Sequence, residues 1–369
     1  MQEFFVSRAL LLDAVEKIIA TCERPSSKGQ RSVPHFFHIK INGYGDRIRL
    51  SASNMFRQIE VMIGEVTPHE EFCLGVSGAN FFSLIRNISD ELINIRYDNG
   101  LTIKTKRSCY SLATLDRDRF PEIELTTQKD WQEVNYEEFF DALSRITYCA
   151  AGPDDGRAFT KSVSVTDTHF YCTDGTRLSL FPNKLIRCTR PFLLPIESVK
   201  SYTNLFKDKD GQGFVSVDEH KIYFSKRNVY ATSSLCVGAV PDYRSVTPEG
   251  VAMSVTLAKE PILKALKRLA LFSKALSQRI LPTEIVFRKN EMRLSLDNTD
   301  YQNQAREEVE CLYEGPVTKV SANIKHLYQA IKSIKEESAV IELRGSHYRL
   351  VITDDKGEHK NVINPCGRP

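Results

Sequence analysis

Residues 115–122 have the sequence LDRDRFPE, and residues 235–242 have the sequence LCVGAVPD at an offset of 120 residues. Each segment begins with leucine and ends with an apolar residue, a proline and a carboxylate. Upstream, Asn54 and Asp174 are again 120 residues apart, and a looser third copy spans 294–298. A fixed offset of this size is the signature of internal repeats. The chain is therefore expected to contain three similar units.

Each unit is predicted to hold two amphipathic helices, because apolar residues recur every three or four positions. The first helix carries Leu11, Val15 and Ile18, then Phe139, Leu143 and Ile146, then Ile262, Leu266 and Leu269. The second carries Phe82 and Ile85, then Val199, Tyr202, Leu205 and Phe206, then Ile324, Leu327, Ile331 and Ile334. The period falls to two at 93–97 and 101–103, at 214–217 and 222–224, and at 340–343 and 348–352, which is typical of antiparallel hairpins.

The predicted fold class is thus α+β, with three repeated domains that each pack two helices on antiparallel sheets. The domains are expected at 1–125, 126–250 and 251–369. A length of 369 residues, 41% hydrophobic and 26% charged residues indicate a globular chain and exclude disordered and fibrous classes.

Cysteine usage and the N-terminus bear on the compartment. The nine cysteines are odd in number and scattered, with no CxxC pair, which favours reduced thiols in a cytoplasm. No basic region leads into an apolar stretch at the N-terminus, and no apolar run has the length of a membrane span. The expected location is therefore cytoplasmic, away from membranes.

Charge is sorted along the chain. The formal net charge is only +3, too small for a uniformly basic surface. Basic minus acidic residues give 0 for 1–125, −1 for 126–250 and +4 for 251–369, and predicted helices at 259–277 and 324–335 concentrate the excess. A polyanion lying across these helices would use such cations. Taken alone, a solvated helix face is the more economical explanation.

No catalytic, metal or cofactor site is predicted, since serine-hydrolase, zinc-protease and phosphate-loop motifs are absent from the sequence. One segment resembles a calcium loop, with Asp208 and Asp210 at positions one and three, Gly213 at six and Glu219 at twelve. Position five is Gln212, and alternating residues follow instead of a second helix. A hairpin is therefore the favoured interpretation.

Three segments together carry a family resemblance. TDGTRL at 173–178, VPDYRSV at 240–246 and SCYSLATL at 108–115 resemble the bacterial beta sliding clamp of the replicative DNA polymerase, in order and over the whole chain. The resemblance implies a DNA clamp fold and a head-to-tail, ring-forming homodimer around duplex DNA. It implies no enzyme activity and no cofactor. DNA polymerase and clamp loader subunits would bind through short linear peptides with Gln and apolar anchors.

Two other classes stay open from the sequence. A nucleic-acid enzyme would need a metal-binding carboxylate cluster, which does not stand out. A calcium-regulated or non-topological nucleic-acid-binding protein would depend on the loop at 208–219 or on the basic helices alone.

The resemblance also places a peptide pocket between the second and third domains. The matching pocket residues are Thr173, Gly175, Thr176, Arg177, Leu178, Pro241, Ser245, Val246, Val362, Asn364, Pro365 and Cys366. Ser245 replaces a usual arginine, and Thr160 lies where an apolar pocket residue is common. The tail at 364–369 also differs, which predicts a smaller or more polar pocket. Peptide binding is expected to depend on Leu178 and Pro241.

Interface and DNA contacts follow in the same way. The matching dimer-interface residues are Arg107, Tyr110, Leu112, Leu271, Phe272 and Glu307. Arg107 is expected opposite Glu307, and the apolar pair Tyr110 and Leu112 is expected to meet the apolar pair Leu271 and Phe272. The residues expected at DNA are Arg24, Lys28, Arg31, Arg157, Phe159, Lys264, Lys267, Arg268, Lys325, Lys332 and Lys335.

Overall fold

The computed structural model describes residues 2–23, 34–64, 66, 71–98, 100–116, 130–207, 211–273, 282–298, 303–345 and 348–366. The chain divides into two compact units, residues 1–137 with 201–235 and residues 138–200 with 236–369. Three predicted DNA contacts, Arg24, Lys28 and Arg31, lie outside the described residues. Within the described ranges, no helix is both long and apolar enough to cross a membrane.

All six predicted helices are present. They are α1 (Arg8–Ile19), α2 (Gly78–Asn87), α3 (Tyr136–Ile146), α4 (Ile196–Leu205), α5 (Lys259–Ser273) and α6 (Ile324–Ser333). Two details differ from the sequence prediction. Helix α2 buries Phe81 rather than Phe82, and α6 ends at Ser333, so Lys335 lies beyond the helix. Of the stretch expected to run to residue 277, the structure describes helix only to Ser273.

The first unit contains two antiparallel sheets. The smaller has the order β1 (Gln2–Ser7), β6 (Leu92–Tyr97), β7 (Leu101–Lys104) and β8 (Cys109–Leu112). The larger has the order β10 (Gln132–Asn135), β15 (Gln212–Val217), β16 (Lys221–Lys226), β17 (Val229–Ser234), β4 (Arg57–Ile63), β3 (Arg47–Ser53), β2 (His38–Tyr44), β5 (Phe72–Ser77) and β9 (Thr114–Asp116).

The second unit has the same plan. Its larger sheet has the order β14 (Phe192–Pro195), β11 (Ser162–Val165), β12 (His169–Thr173), β13 (Arg177–Pro182), β25 (Lys360–Ile363), β24 (Arg349–Thr353), β23 (Ser338–Arg344) and β18 (Val251–Ala258). Its smaller sheet has the order β21 (Asn303–Glu310), β20 (Glu291–Asn298), β19 (Pro282–Arg288) and β22 (Thr318–Asn323). The three predicted hairpins are confirmed as β6–β7, β15–β16 and β23–β24.

Helix packing in the second unit follows from the amphipathic pattern. Ile262, Leu266 and Leu269 of α5 and Leu327 and Ile331 of α6 are at most 1% exposed and share one hydrophobic core with the sheets. Burying a side chain of this size stabilises the fold by about 1.5–3 kcal/mol. The opposite faces of both helices therefore stay in solvent and carry the lysines.

Each large sheet is continuous across two sequence repeats. Strand β4 pairs antiparallel with β17, and β13 pairs in the same way with β25. The preceding hairpins are equivalent, because each pairs residues five apart: Ser53 with Gln58, Thr173 with Leu178 and Asn298 with Asn303. The third member of this series, β21, is an edge strand of its sheet, and so is β8.

Candidate functional site

A tight turn between β12 and β13 forms one side of the candidate site. Asp174 Oδ1 accepts hydrogen bonds from the backbone N–H groups of Thr176 at 2.8 Å and Arg177 at 3.1 Å. Gly175 adopts a φ of +93°, which favours a residue without Cβ. Thr173 Oγ1 donates to the Arg177 carbonyl at 2.6 Å. The TDGTR motif therefore encodes this turn, because aspartate and glycine supply the geometry that it requires.

Arg177 locks the turn to the rest of the unit. Its Nε donates to Asp174 Oδ2 at 2.8 Å, its Nη1 to Gln329 Oε1 at 2.6 Å and its Nη2 to the Tyr148 carbonyl at 2.9 Å. Burial raises the pKa of Asp174, but hydrogen bonds from Thr176 and the charge of Arg177 outweigh it and hold that pKa below its ordinary value. Only 9% of Arg177 is exposed, so its role is to hold the turn.

A cavity of about 270 Å³ opens beside the turn. Its lining residues are Phe159, Tyr171, Thr173, Gly175, Thr176, Arg177, Leu178, Pro241, Asp242, Tyr243, Ser245, Val246, Arg349, Val362 and Asn364. Ligand pockets usually measure about 300–1,000 Å³, so this cavity is slightly smaller than that range. Its size fits one or two anchoring side chains of a peptide.

The floor of the cavity is apolar. Leu178 and Val362, each 3% exposed, face each other across β13 and β25. Tyr171 lies beside them and donates its hydroxyl to the Pro241 carbonyl at 2.5 Å. Burial raises the pKa of Tyr171 to about 12, so this hydroxyl stays protonated. Leu178 thus supports the floor from within the core.

The segment 241–246 forms the facing wall. Tyr243 packs on Tyr171 with ring centroids 5.0 Å apart, and its hydroxyl lies 2.8 Å from His169 Nδ1. Burial, with nearby Lys360, lowers the pKa of His169, which favours a neutral ring that accepts this hydrogen bond. Val246 is 47% exposed and offers an apolar surface to solvent.

Phe159, predicted as a DNA contact, lines this cavity, and Arg157, predicted with it, lies beside it. The guanidinium of Arg157 stacks over the Phe159 ring at 5.4 Å. Arg157 also donates to Asp155 at 2.7 Å and to the Asp174 carbonyl at 3.1 Å. Hydrogen bonds from Arg157 hold the pKa of Asp155 well below its ordinary range. The position of Thr160, where an apolar pocket residue is common, is polar in this chain. The apolar side chain of the neighbouring Phe159 lines the cavity.

Ten of the twelve predicted pocket residues line the cavity. The two exceptions are Pro365 and Cys366, and the backbone N–H of Cys366 donates to the Ser321 carbonyl at 2.8 Å. Sequence reasoning missed Tyr171, Asp242, Tyr243 and Arg349 as lining residues. Asp242 and Tyr243 lie inside the VPDYRSV segment and could have been included, whereas no motif marks Arg349.

The equivalent junction in the first unit has a polar surface where this one is apolar. By the common hairpin step, Gln58 and Thr232 correspond to Leu178 and Val362, and they are also direct partners across β4 and β17. Glu60, which corresponds to Leu180, is 5% exposed and interacts with Gln58 at 2.5 Å. Burial raises the pKa of Glu60 against the effect of Arg49. An apolar peptide anchor would bury these polar groups unfavourably.

On the opposite face of the same strands, the first junction is apolar and the second is polar. At the first junction Ile59 and Ala231 fill the inner positions, each 1% exposed. At the second junction Ser179 and Asn361 take those positions and are fully buried. Because successive strand residues point to opposite faces, the two junctions have exchanged their apolar and polar sides. The apolar outer floor is therefore specific to the second junction.

The polar layer under the floor includes a fully buried histidine. Tyr148 and Ser179 both donate to Asn361 Oδ1, at 2.7 and 2.6 Å. The Ser179 oxygen is thus left to accept from His359 Nε2 at 3.1 Å. His359 Nδ1 has no partner among the described residues. A second proton on that ring would have no acceptor, and burial lowers the pKa of His359 to about 3.

We expect the stability of the protein to fall with pH below about 6.5 because of His359. The unfolded state binds its proton near the ordinary pKa, whereas the folded state resists protonation down to about 3. The stability that neutral His359 contributes is therefore complete above about pH 6.5 and is lost as the pH falls from there towards 3. Over that window this residue alone raises the unfolding constant about tenfold per pH unit. Urea unfolding at pH 7, 6 and 5 measures the slope. His359→Gln should reduce that slope by one proton.

The predicted DNA lysines lie on exposed faces of the second unit. Lys267, Lys325 and Lys332 are exposed, and within the described ranges none has a carboxylate partner. Lys264 pairs with Glu260 at 2.7 Å, and Lys335 pairs with Asp141 at 2.7 Å. The helix cations are therefore only partly neutralised.

The predicted interface residues lie on or just before the edge strand β8, on the edge strand β21 and at the end of α5. Tyr110 on β8 is 38% exposed, and Leu271 at the end of α5 is 64% exposed. Glu307 on β21 is held in a two-pronged pair by Arg268, at 2.7 and 2.6 Å. Arg268, predicted at DNA, is thus engaged with Glu307, the residue expected to meet Arg107.

The segment at 208–219 that resembles a calcium loop leads into a hairpin. Asp208 and Asp210 lie outside the described residues, but 212–226 form β15 and β16 rather than the second helix of a calcium-binding helix–loop–helix. Among the described residues, no group of three or more His, Cys, Asp or Glu side chains is arranged to hold a metal ion. All nine cysteines are free thiols.

Comparison with solved structures defines the class of fold. The DNA polymerase III subunit beta from Pseudomonas aeruginosa superimposes with a TM-score of 0.90 at 20% identity, over all of both chains. The DNA polymerase sliding clamp from Bacillus subtilis gives a TM-score of 0.90 at 17% identity, also over all of both chains. The α+β architecture is therefore the sliding-clamp fold, as predicted.

Sequence comparison gives the family. The family model for the DNA polymerase III beta subunit, N-terminal domain, matches residues 2–124, and that for its C-terminal domain matches residues 244–365. The beta sliding clamp of Haemophilus influenzae is 22% identical over 346 residues, covering 90% of each chain. The chain belongs to the beta sliding clamp family of DNA polymerase III, which confirms the resemblance in the three sequence motifs.

Proposed function

We propose that this sliding clamp acts as a closed ring of two copies around duplex DNA and tethers DNA polymerase III through short peptides bound at the cavity. The family supports a DNA sliding clamp, and the single observation that supports the ring most strongly is the series of equivalent strand junctions. No catalytic step is needed for this role. We further propose domains at 1–125, 126–250 and 251–369.

The strand series leaves one unmatched pair of edges. Strands β4 and β13 are each paired with the last strand of the following repeat, β17 and β25. The next strand of that series is β21, and the strand of the first repeat that corresponds to β17 at the offset of 120 residues is β8. Both are edge strands, and exposed edges tend to pair with another chain. In a head-to-tail dimer, β21 of each copy pairs with β8 of the other copy. All four of these edge strands are then paired, and the ring closes.

The series also predicts the register of that pairing. Leu178 faces Val362, Gln58 faces Thr232, and the repeat offset of 120 relates Thr232 to Leu112. Asn303 should therefore face Leu112 across the new junction. Two further pairs follow by antiparallel counting: Ala305 opposite Tyr110, and Arg306 opposite Cys109.

This register places the apolar groups on one face. Tyr110 lies opposite Ile103 in its own sheet, on the buried side, and alternation puts Ala305 and Glu307 on the side where Arg268 of α5 reaches Glu307. Leu271, at the end of α5, is then close to Tyr110 of the partner copy. By the same antiparallel counting Arg107 lies opposite Glu308 rather than Glu307, and Glu308 is already contacted by Arg293 at 3.2 Å and by Arg306 at 2.5 Å.

The helices supply the DNA-facing cations of the ring. α5 carries four basic residues and one carboxylate, and α6 carries two basic residues and none. Lysines bind phosphates through charge without reading sequence. A mildly basic lining of this kind fits a ring that slides, because retention comes from topology rather than tight contacts.

A disulfide across the proposed junction tests both register and ring. Directly opposed residues in an antiparallel pair have Cβ atoms about 4.5–5.5 Å apart, close to the span of a disulfide. Arg306→Cys should therefore cross-link to the native Cys109 of the other copy on mild oxidation and give a covalent dimer on a non-reducing gel. Ala305→Cys, whose side chain points to the other face, should not.

The same variant tests encirclement. It is loaded on a nicked circular plasmid in dilute urea, oxidised and then challenged by linearising the DNA. We expect the locked dimer to stay on circles and to leave linear DNA. Retention on linear DNA would show groove binding, and cross-linking from Ala305→Cys alone would show a different register.

A further inference from the structure

The charges around the cavity do not cancel. Three cations near its rim each have a carboxylate within the same segment: Arg157 has Asp155 at 2.7 Å, Arg177 has Asp174 at 2.8 Å, and Arg244 has Asp242 at 3.8 Å. A fourth cation, Arg349 of β24, also lines the cavity. Within the described ranges, no carboxylate oxygen lies within 4.0 Å of its guanidinium nitrogens. Among the residues that the structure describes, the site therefore has one positive charge without a carboxylate partner.

Arg349 is held in place with most of its donors unused. Its Nη1 donates to the Val246 carbonyl at 2.8 Å, which fixes the guanidinium against the apolar wall. A guanidinium has five N–H donors, and the edge formed by Nε and Nη2 matches a carboxylate in a two-pronged arrangement. The described contacts leave that edge unoccupied.

The neighbouring arginine does not supply a counter-charge. Arg344 faces Arg349 across β23 and β24, and it is itself paired with Glu342 at 2.5 Å. The sheet at this point is thus neutral or positive around Arg349. A carboxylate brought by a ligand would meet attraction without competition from the protein.

We propose that Arg349 pairs with a carboxylate of the bound peptide, so that this pocket prefers peptides in which an acidic residue adjoins the apolar anchor. The inference deepens the proposed function and depends on it, because it assumes that peptides bind in the cavity. Val246 and Arg349 then act as a pair: the valine side chain contacts the anchor, and its carbonyl orients the cation.

The test is a peptide series with blocked ends, so that side-chain carboxylates are the only ones present. One Gln and two apolar anchors are fixed, and Asp or Asn is placed in turn at each remaining position. Affinity is measured by fluorescence anisotropy. We expect one position at which Asp binds about tenfold more tightly than Asn, as for a charged hydrogen bond, and the advantage should shrink with salt.

Protein variants assign the effect to Arg349. Arg349→Gln should bind the Asp and Asn peptides equally, because the cation that distinguishes them is gone. Arg244→Gln removes a cation that already has Asp242, and it should keep the preference. Equal binding of Asp and Asn peptides by the parent protein would overturn the inference, and so would a preference that survives Arg349→Gln. Failure of every peptide to bind would instead overturn the proposed pocket function.

Discussion

Val246→Asp is expected to weaken the binding of clamp-binding peptides about 100-fold while the protein stays folded. Val246 is 47% exposed on the wall of the cavity, so the substitution changes the surface that meets the peptide anchor and leaves the buried cluster intact. A bound anchor would lose apolar contact and would force a carboxylate to give up water, costing about 3 kcal/mol together. Such a loss corresponds to about a 100-fold change in dissociation constant.

Val251→Asp is the matched control. It changes the same residue type at 50% exposure, on the edge strand β18 and outside the cavity lining. Fluorescence anisotropy with one labelled peptide should show the parent affinity for this variant, and thermal unfolding should show all three proteins folded. Equal affinities for the two aspartate variants would place the peptide elsewhere on the surface.

Leu178, the residue that the sequence marked as decisive, makes a poorer test. It is 3% exposed and sits in the cluster beneath the cavity with Tyr171 and Val362. An aspartate there would bury an unpaired charge and unfold the sheet before any peptide is added. Loss of binding by such a variant would report on folding, whereas Val246 separates the two effects.

The sequence predicted the repeats and helices well because their signals are local. Apolar periodicity placed all six helices, and the TDGTR motif specifies its own turn through Asp174 and Gly175. The motif also marked Arg177 as part of the pocket. Its contacts to Gln329 and Tyr148 are 152 and 29 residues away in sequence and could not be read from spacing.

Contacts between distant segments account for the surroundings of residues that the sequence alone could not describe. The resemblance predicted Arg157 and Phe159 in a DNA-contact loop, and the structure adds that Arg157 donates to the Asp174 carbonyl, 17 residues away in sequence, beside the cavity. The sequence predicts Arg268 only as one more cation on a helix, whereas in the structure it pairs with Glu307 on β21. Arg349 stands alone in the sequence, and only the fold brings it to Val246.

Leu271→Asp is expected to convert the ring to monomers at micromolar concentration. Leu271 is 64% exposed at the end of α5, on the side where the proposed register brings Tyr110 of the partner copy. Losing this apolar contact costs about 2 kcal/mol. A head-to-tail dimer contains the junction twice, so the loss is about 4 kcal/mol, or about a thousandfold in dissociation constant.

Leu312→Asp provides the comparison, because Leu312 is 73% exposed and lies past the end of β21, where its backbone pairs with Thr256 of the same copy. Sedimentation velocity at one micromolar protein should show a dimer for the parent chain and for Leu312→Asp, and a monomer for Leu271→Asp. Because the variant leaves the cavity untouched, its monomer should still bind the peptide with parent affinity and should fail only to remain on circular DNA. A dimeric Leu271→Asp would mean that the end of α5 lies outside the junction. A monomeric parent chain would show that pairing of β8 with β21 is too weak to close a ring unaided.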